Sequence, residues 1–151
     1  MKKKAFQDYY PDDYSHCYGC GRLNQQGLQI KSYWDGDESV CIYQPKPEHR
    51  APSGFVYSGL IASLLDCHAI GTAAAAKYRA ENRDPATDPP LRFVTAALHV
   101  EYLMPAPMEA TLELRGRVKE VKERKAIVAV TVSASGQECA RGEAIGVIMP
   151  E

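Results

Sequence analysis

The sequence lacks an excess of charge of either sign. Its 151 residues contain 18 Lys and Arg against 19 Asp and Glu, which leaves a formal net charge of −1. The basic residues are scattered apart from one cluster, Lys2-Lys3-Lys4, at the N-terminus. Because nucleic-acid binding depends on a concentrated basic surface, we expect no nucleic-acid partner.

Long apolar stretches and export signals are also missing. Residues 5–9 give the lysine cluster no apolar continuation of the kind a signal peptide has. No uninterrupted apolar run approaches the roughly 20 residues of a membrane span. The cysteines are five, an odd number, which predicts reduced thiols rather than a disulfide framework. We therefore expect a cytoplasmic protein with no membrane partner.

The composition is that of one ordinary globular domain. Hydrophobic residues make up 45% and charged residues 25% of the chain, enough to bury a sizeable core. Residues 1–26 are polar and rich in turn-forming types, which predicts an N-terminal cap or loop segment. Residues 27–151 are then predicted to form the domain itself.

The pattern along the domain predicts two strands, one helix and four further strands. Residues 28–34 and 39–43 alternate around a hairpin turn at 35–37, and prolines exclude 45–52 from a sheet. A helix is predicted from Ser58, a plausible N-cap, to about Arg83. The last four strands are predicted at 97–103, 111–119, 125–133 and 139–148, each with one polar and one apolar face.

Over its first five turns, the predicted helix has small or apolar residues on every side. Such a helix is surrounded by protein, so a single sheet has to curve around it. The fold class is therefore α+β, a curved antiparallel sheet wrapped around one long buried central helix. Since one sheet cannot cover all sides of the helix, a second copy of the chain is expected to seal the rest.

Asp66 is the exceptional residue of this helix. It has no Lys or Arg three or four residues away, and a carboxylate is costly there unless it is hydrogen-bonded or open to a cleft. One interpretation is a core Asp satisfied by backbone donors or by a partner subunit; the other is catalytic. The free N–H groups of Ser58 and Gly59 at the helix start suit an oxyanion. They lie roughly 10 Å along the axis from Asp66, so a neighbouring chain could bring donors closer.

Three segments resemble the PaaI-like hotdog thioesterases. Residues 56–66, Val-Tyr-Ser-Gly-Leu-Ile-Ala-Ser-Leu-Leu-Asp, resemble the helix motif that usually reads His-Gly-Gly-x-x-x-(Ser/Thr)-Leu-x-Asp. Residues 94–105 resemble the strand that follows, with its Tyr-x-x-Pro ending. Cys17-Tyr18-Gly19-Cys20-Gly21 resembles the N-terminal segment of an uncharacterised subgroup. Here Tyr57 replaces the motif His and Ser58 the first Gly.

The resemblance implies hydrolysis of an acyl-CoA or acyl-carrier thioester to a free acid and a thiol. In this family the Asp position, here Asp66, is nucleophile or general base. The resemblance implies that the amides of Ser58 and Gly59 polarise the thioester carbonyl, that Thr95 helps to position water, and that Tyr57 can hydrogen-bond near the thioester. The resemblance also implies a homodimer, or a dimer of dimers, with acyl-CoA across the interface. No cofactor is expected beyond the coenzyme A of the substrate.

Weaker signals concern coenzyme A and the cysteines. Arg92, Arg115 and Arg117 are candidate contacts for the CoA phosphates, although a solvated face is the simpler interpretation. Cys17 and Cys20 have the spacing that binds zinc, but a structural zinc needs four ligands and no second pair follows. We therefore expect a metal-free loop, with zinc shared across a dimer as the alternative.

Cys67 and His68 do not form a nucleophile pair, because adjacent helical residues point about 100° apart. Cys67 is predicted as a small core residue, and His68 as satisfied in the core or at a subunit interface. Two other functions compete with hydrolysis. A hotdog domain can bind an acyl ligand or mediate assembly without turnover, and a dehydratase would use His49, the one upstream histidine candidate.

Overall fold

A computed structural model of the chain describes residues 3–150, and it contains one helix and one six-stranded sheet within that range. Two short 3-10 helices, Phe6–Tyr9 and Asp12–Tyr14, precede the sheet. The elements that follow are β1 (Tyr33–Asp35), β2 (Glu38–Tyr43), α1 (Ser58–Ala80), β3 (Phe93–Tyr102), β4 (Leu112–Val121), β5 (Lys125–Ala134) and β6 (Gln137–Ile148). The predicted order of two strands, one helix and four strands is confirmed.

The sheet is antiparallel throughout, with strand order β1-β2-β4-β5-β6-β3. Its alternating residues give one buried face, formed in β4 by Leu112 and Leu114 and in β5 by three valines, Val128, Val130 and Val132. This face packs on α1, which contacts β3, β4, β5 and β6. The sheet thus curves around the helix, and the predicted α+β hotdog fold is confirmed.

The helix α1 is buried on nearly all sides, as its composition predicts. Buried residues run from Leu60 to Tyr78, and the alanines 73–76 let the sheet approach closely. By length and hydropathy α1 is also apolar enough to span a membrane, contrary to our expectation that no run approaches that length. Two thirds (67%) of its most apolar stretch is buried inside the fold, as in the core helix of a globular domain.

The helix begins differently from the prediction. Tyr57, not Ser58, is the N-cap, and Ser58 is the first helical residue. The extended backbone of Tyr57 is fixed by the chain around it: Val56 N–H donates to the Ala106 carbonyl at 2.9 Å and Tyr57 N–H to the His49 carbonyl at 2.9 Å. These backbone bonds override the preference of serine for the cap position. At its other end α1 stops at Ala80, short of the predicted Arg83.

The first strand is also shorter than predicted, since residues 28–32 leave the sheet. Leu28 N–H donates to the Tyr18 carbonyl at 2.8 Å and Ile30 N–H to the Gly19 carbonyl at 3.0 Å. Gln29 between them has a positive φ of 58°, which a continuous strand does not allow. This stretch therefore pairs with the N-terminal segment and packs that segment onto the domain.

The N-terminal segment is bound to the domain by buried polar contacts. Gln7 is fully buried; its Nε2 donates to Ser32 Oγ at 3.1 Å, and its Oε1 accepts the Ser32 N–H at 2.8 Å. The Tyr14 hydroxyl donates to the carbonyl of Phe93 at the start of β3. The first 3-10 helix also contacts α1, where the Gln7 side chain lies beside Gly71, so the segment lies against both the helix and the β3 edge of the sheet.

His68 is satisfied in the core, one of the two predicted alternatives. Its ring is fully buried, with Nδ1 2.8 Å from Ser32 Oγ and Nε2 3.0 Å from Ser39 Oγ. Ser39 Oγ also lies 2.7 Å from the Thr72 hydroxyl. Every polar atom of the imidazole therefore has a neutral partner. Burial lowers the pKa of His68 to about 4, partly opposed by hydrogen bonding to Ser39.

Strand β3 departs from the one-face pattern predicted for it. It is a sheet edge, and most of its residues are exposed on both faces of the single chain. Leu98, predicted on the apolar side, is 38% exposed and Tyr102 is 50% exposed. An edge strand with unpaired backbone groups and apolar side chains is open to pairing with another chain.

Candidate active site

Asp66 lies half-buried on α1, with a carboxylate oxygen directed at β3. The Thr95 hydroxyl donates to Asp66 Oδ1 at 2.6 Å. Among the residues that the structure describes, Asp66 forms no salt bridge and has no other side-chain hydrogen bond. One oxygen is thus held by Thr95, and the other is available to a ligand.

The sheet brings Thr95 to this position through a local irregularity. The pairing of β3 with β6 runs from Phe93 opposite Ile148 to Thr95 opposite Gly146, then shifts by one residue before Ala97. Such a bulge bends a strand and redirects its side chains. The candidate pair Asp66 and Thr95, named from separate segments of the sequence, is therefore brought together in the structure.

A cavity of about 390 Å³ opens beside the carboxylate. One wall comes from the domain and includes Asp66, Phe93 and Thr95. The other wall comes from the N-terminal segment and includes Tyr10 and Cys17. Asp66 is thus a half-buried carboxylate that faces a concave, largely apolar cavity and forms no ion pair with any residue of 3–150.

The helix start is the second part of the predicted site. The N–H groups of Ser58 and Gly59 donate to no other described group, so both are free to bind an oxyanion. Tyr57 folds its ring over Gly59, where an added Cβ would lie 2.4 Å from the Tyr57 ring. The Tyr102 hydroxyl donates to the Ser58 carbonyl at 2.7 Å and joins β3 to the helix start. Residues 57–59 do not line the Asp66 cavity, so one chain does not place donors and carboxylate at a common point.

The structure places three thiols beside Asp66 that the sequence analysis did not assign to the site. Cys17 and Cys20 were predicted only as part of a loop, and Cys67 only as a core residue. Cys17, Cys20 and Cys67 have sulfur atoms within 4.8 Å of one another, and Cys17 Sγ is 4.0 Å from Cys67 Sγ. Hydrogen bonds from Cys20 and then Cys67 lower the pKa of Cys17. Donation to Cys17 correspondingly raises the pKa of the other two thiols.

Cys67 packs against the core, as predicted, but the prediction missed its contact with the N-terminal segment. It is half-buried at the edge of the core and presents its sulfur to the N-terminal segment. Its partners are distant along the chain, so their convergence depends on the packing of that segment. The CxxC spacing pairs Cys17 with Cys20, but no local sequence pattern indicates that Cys67 lies beside them.

The three arginines proposed for coenzyme A lie in different places. Arg92 is near the rim of the cavity, where its guanidinium pairs with Asp13 at 3.2 Å. Arg115 and Arg117 alternate with the buried residues of β4 and so lie on the outer face of the sheet, away from α1. Arg115 pairs there with Asp35, Glu38 and Glu113. Of the three arginines, only Arg92 pairs, among the described residues, with a residue that lines the Asp66 cavity, namely Asp13.

The curved sheet, its central helix and the carboxylate in a cleft beside the helix define the class of hotdog-fold thioesterases. The profile of the thioesterase superfamily matches residues 53–140, which include α1, β3, β4 and β5. The chain therefore belongs to the thioesterase superfamily.

Individual relatives agree with this assignment. A thioesterase superfamily protein from Shewanella loihica is 47% identical, covers 92% of this chain and 98% of its own, and superimposes with a TM-score of 0.70. The Escherichia coli PaaI protein of the phenylacetic acid degradation operon is 14% identical with a TM-score of 0.66 over 82% of this chain and 81% of its own, a likeness of fold. The acyl-coenzyme A thioesterase THEM4 of Xenopus laevis is 27% identical over 105 residues, 70% of this chain; the chain spans 41% of that relative's length.

Proposed function

We propose that this protein hydrolyses an acyl-CoA thioester to a free acid and a thiol, with Asp66 as the catalytic carboxylate. The observation that carries the proposal is the position of Asp66 in an open cavity, where its side chain is bound by Thr95 and by no cation among the described residues. A structural aspartate on a core helix would be expected to use both oxygens internally. Membership of the thioesterase superfamily supports the reaction class, and the likeness to an acyl-coenzyme A thioesterase supports the substrate class.

Two routes use the same carboxylate. As general base, Asp66 takes a proton from water while the water oxygen attacks the thioester carbonyl carbon; the C–S bond breaks and the thiolate gains a proton. As nucleophile, Asp66 attacks the carbonyl carbon itself and releases the thiolate, and water then hydrolyses the mixed anhydride. In both routes Thr95 fixes one carboxylate oxygen so that the other faces the substrate.

The proposal requires a homodimer. Free N–H groups of Ser58 and Gly59 are the oxyanion donors, but they lie roughly 10 Å along α1 from Asp66 in the same chain. A partner seated on β3 would bring its helix start to the Asp66 cavity. The exposed edge of β3, with Leu98 38% and Tyr102 50% exposed, supports that arrangement. Sedimentation should show a dimer or a dimer of dimers; a monomer that turns over acyl-CoA would exclude shared sites.

The decisive experiment compares wild type with Asp66→Asn in a thiol-release assay over short, medium, long and aryl acyl-CoAs. Asn retains the shape of the side chain and can still accept from Thr95, so the fold and substrate binding should survive. We expect kcat to fall by at least about 10²-fold. Asp37→Asn, in the exposed β1–β2 hairpin, is the matched control and should be fully active.

The outcomes separate the rival functions. Activity that survives in Asp66→Asn would refute the assignment of the catalytic residue. Wild-type inactivity across the panel with retained acyl-CoA binding would instead favour a binding module. In a single turnover in ¹⁸O-water, ¹⁸O found in the Asp66 carboxylate would demonstrate the nucleophilic route, in which water attacks the anhydride at the Asp66 carbonyl carbon.

A further inference from the structure

The three cysteines beside Asp66 are arranged as a set of ligands. Cys17 and Cys20 come from one tight loop and Cys67 from α1, and all three sulfur atoms lie within 4.8 Å of one another. In a tetrahedral zinc site with Zn–S bonds of about 2.3 Å, neighbouring sulfur atoms are about 3.8 Å apart. The 4.0 Å separation of the Cys17 and Cys67 sulfurs is close to that sulfur–sulfur distance.

The loop is shaped so that its backbone approaches the third sulfur. An added Cβ at Gly19 would lie 2.3 Å from Cys67 Sγ, and one at Gly21 would lie 2.5 Å from the Ser15 carbonyl oxygen. Glycine at both positions therefore allows the loop to close over Cys67.

A tetrahedral metal ion bound by these three sulfurs would have no fourth protein ligand among residues 3–150. Neither His16 nor Asp66, although both line the same cavity, has a ligand atom within 4.8 Å of all three sulfurs. Three protein ligands and one open position are the pattern of zinc sites that bind water or a substrate group. The open side here faces the cavity that contains Asp66 and Thr95.

We propose that Cys17, Cys20 and Cys67 bind one zinc ion, with its open coordination position directed into the Asp66 cavity. The ion joins the N-terminal segment to α1 next to the catalytic carboxylate. Thiolate ligands select a thiophilic metal such as Zn²⁺ over Mg²⁺ or Ca²⁺. A disulfide between Cys17 and Cys67 would need their sulfurs about 2.05 Å apart, whereas they lie 4.0 Å apart.

The test is metal content and does not depend on thioesterase activity. Protein purified under reducing conditions is dialysed against a weak chelator, and zinc is measured together with the number of free thiols. Wild type should retain about one zinc ion per chain. Replacement of zinc by Co²⁺ should give the intense absorption of a tetrahedral thiolate complex.

Two variants and one control test the assignment. Cys17→Ser removes the most exposed ligand, so the fold should persist, and zinc retention should fall at least about tenfold. Gly19→Ala leaves all three thiols in place but introduces a Cβ against Cys67, and it should also reduce zinc retention. Cys139→Ala removes a buried thiol outside the cluster and should retain the full zinc content.

Several results would overturn the proposal. Zinc removed by the weak chelator would be an adventitious ion only. Zinc retained by Cys17→Ser, or half an ion per chain, would place the metal elsewhere or between two copies. A missing pair of free thiols under non-reducing conditions, with no metal bound, would identify a disulfide instead. Each of these results is independent of whether Asp66 hydrolyses a thioester.

Discussion

Protonation of His68 should make the fold sensitive to mild acid. The ring is fully buried between Ser32 and Ser39, and no charged side chain is among its hydrogen-bond partners. Burial lowers its pKa from 6.5 to about 4. Above about pH 6.5 the ring is neutral in both the folded and the unfolded chain, so the shift has no effect on stability there.

The sign and size of the effect follow from linkage. Between about pH 6.5 and pH 4 the unfolded chain binds a proton at His68 and the folded chain does not, so the free energy of unfolding falls as the pH falls. One pKa unit corresponds to about 1.36 kcal/mol, so a shift from 6.5 to about 4 costs about 3 kcal/mol by pH 4. Below that pH both states are protonated and this loss stops.

The assay is urea unfolding from about pH 7 to pH 4 at a fixed protein concentration, because dimerisation makes stability depend on concentration. His68→Gln retains a donor and an acceptor but does not titrate, so it should lose about 3 kcal/mol less than wild type over this range. His16→Gln, at an exposed position outside β3, is the control and should follow wild type. Parallel curves for wild type and His68→Gln would refute the assignment of the acid sensitivity to this ring.

Three further substitutions test the site and the core. Ser58→Pro deletes one proposed oxyanion donor at the first helical position, where proline is tolerated, so kcat should fall about 10²- to 10³-fold. Ser58→Ala keeps the backbone N–H and should retain activity. Equal rates for the two variants would exclude this amide as an oxyanion donor. Thr95→Val should lower kcat about 10- to 100-fold and Thr95→Ser should not; equal loss in both would indicate a packing role. Leu114 is fully buried and faces α1. Leu114→Ala should therefore reduce the free energy of unfolding, measured in a denaturant titration, by about 2–5 kcal/mol. A change below about 1 kcal/mol would contradict the core assignment.

The parts of the fold that local pattern determines were predictable. Strands β4, β5 and β6 have one polar and one apolar face, and the turn at Ser135 and Gly136 uses two positive φ angles. Hydrophobic alternation and turn chemistry act over a few residues, so the sequence contains the whole signal. The same holds for α1, whose apolar surface has to be enclosed whatever the details of packing.

The errors occur where distant segments decide the local structure. Residues 28–32 have a strand pattern, yet their backbone bonds go to Tyr18 and Gly19 in the N-terminal segment. The N-cap is displaced to Tyr57 by bonds to His49 and Ala106, residues that no local rule connects to it. For the site, Asp66 and Thr95 could be proposed from motifs, but the position of Cys67 opposite Cys17 is a result of tertiary packing.

The two walls of the Asp66 cavity have separate origins in the chain. The residues that position the carboxylate, on α1 and β3, lie inside the region 53–140 that the superfamily profile matches. Tyr10, Cys17 and Cys20 on the facing wall lie before it. Under the function proposed above, changes within residues 10–20 would alter which acyl group fits the cavity while Asp66 and Thr95 stay in place. Under that proposal the N-terminal segment is the part of the chain to vary when a new acyl selectivity is sought.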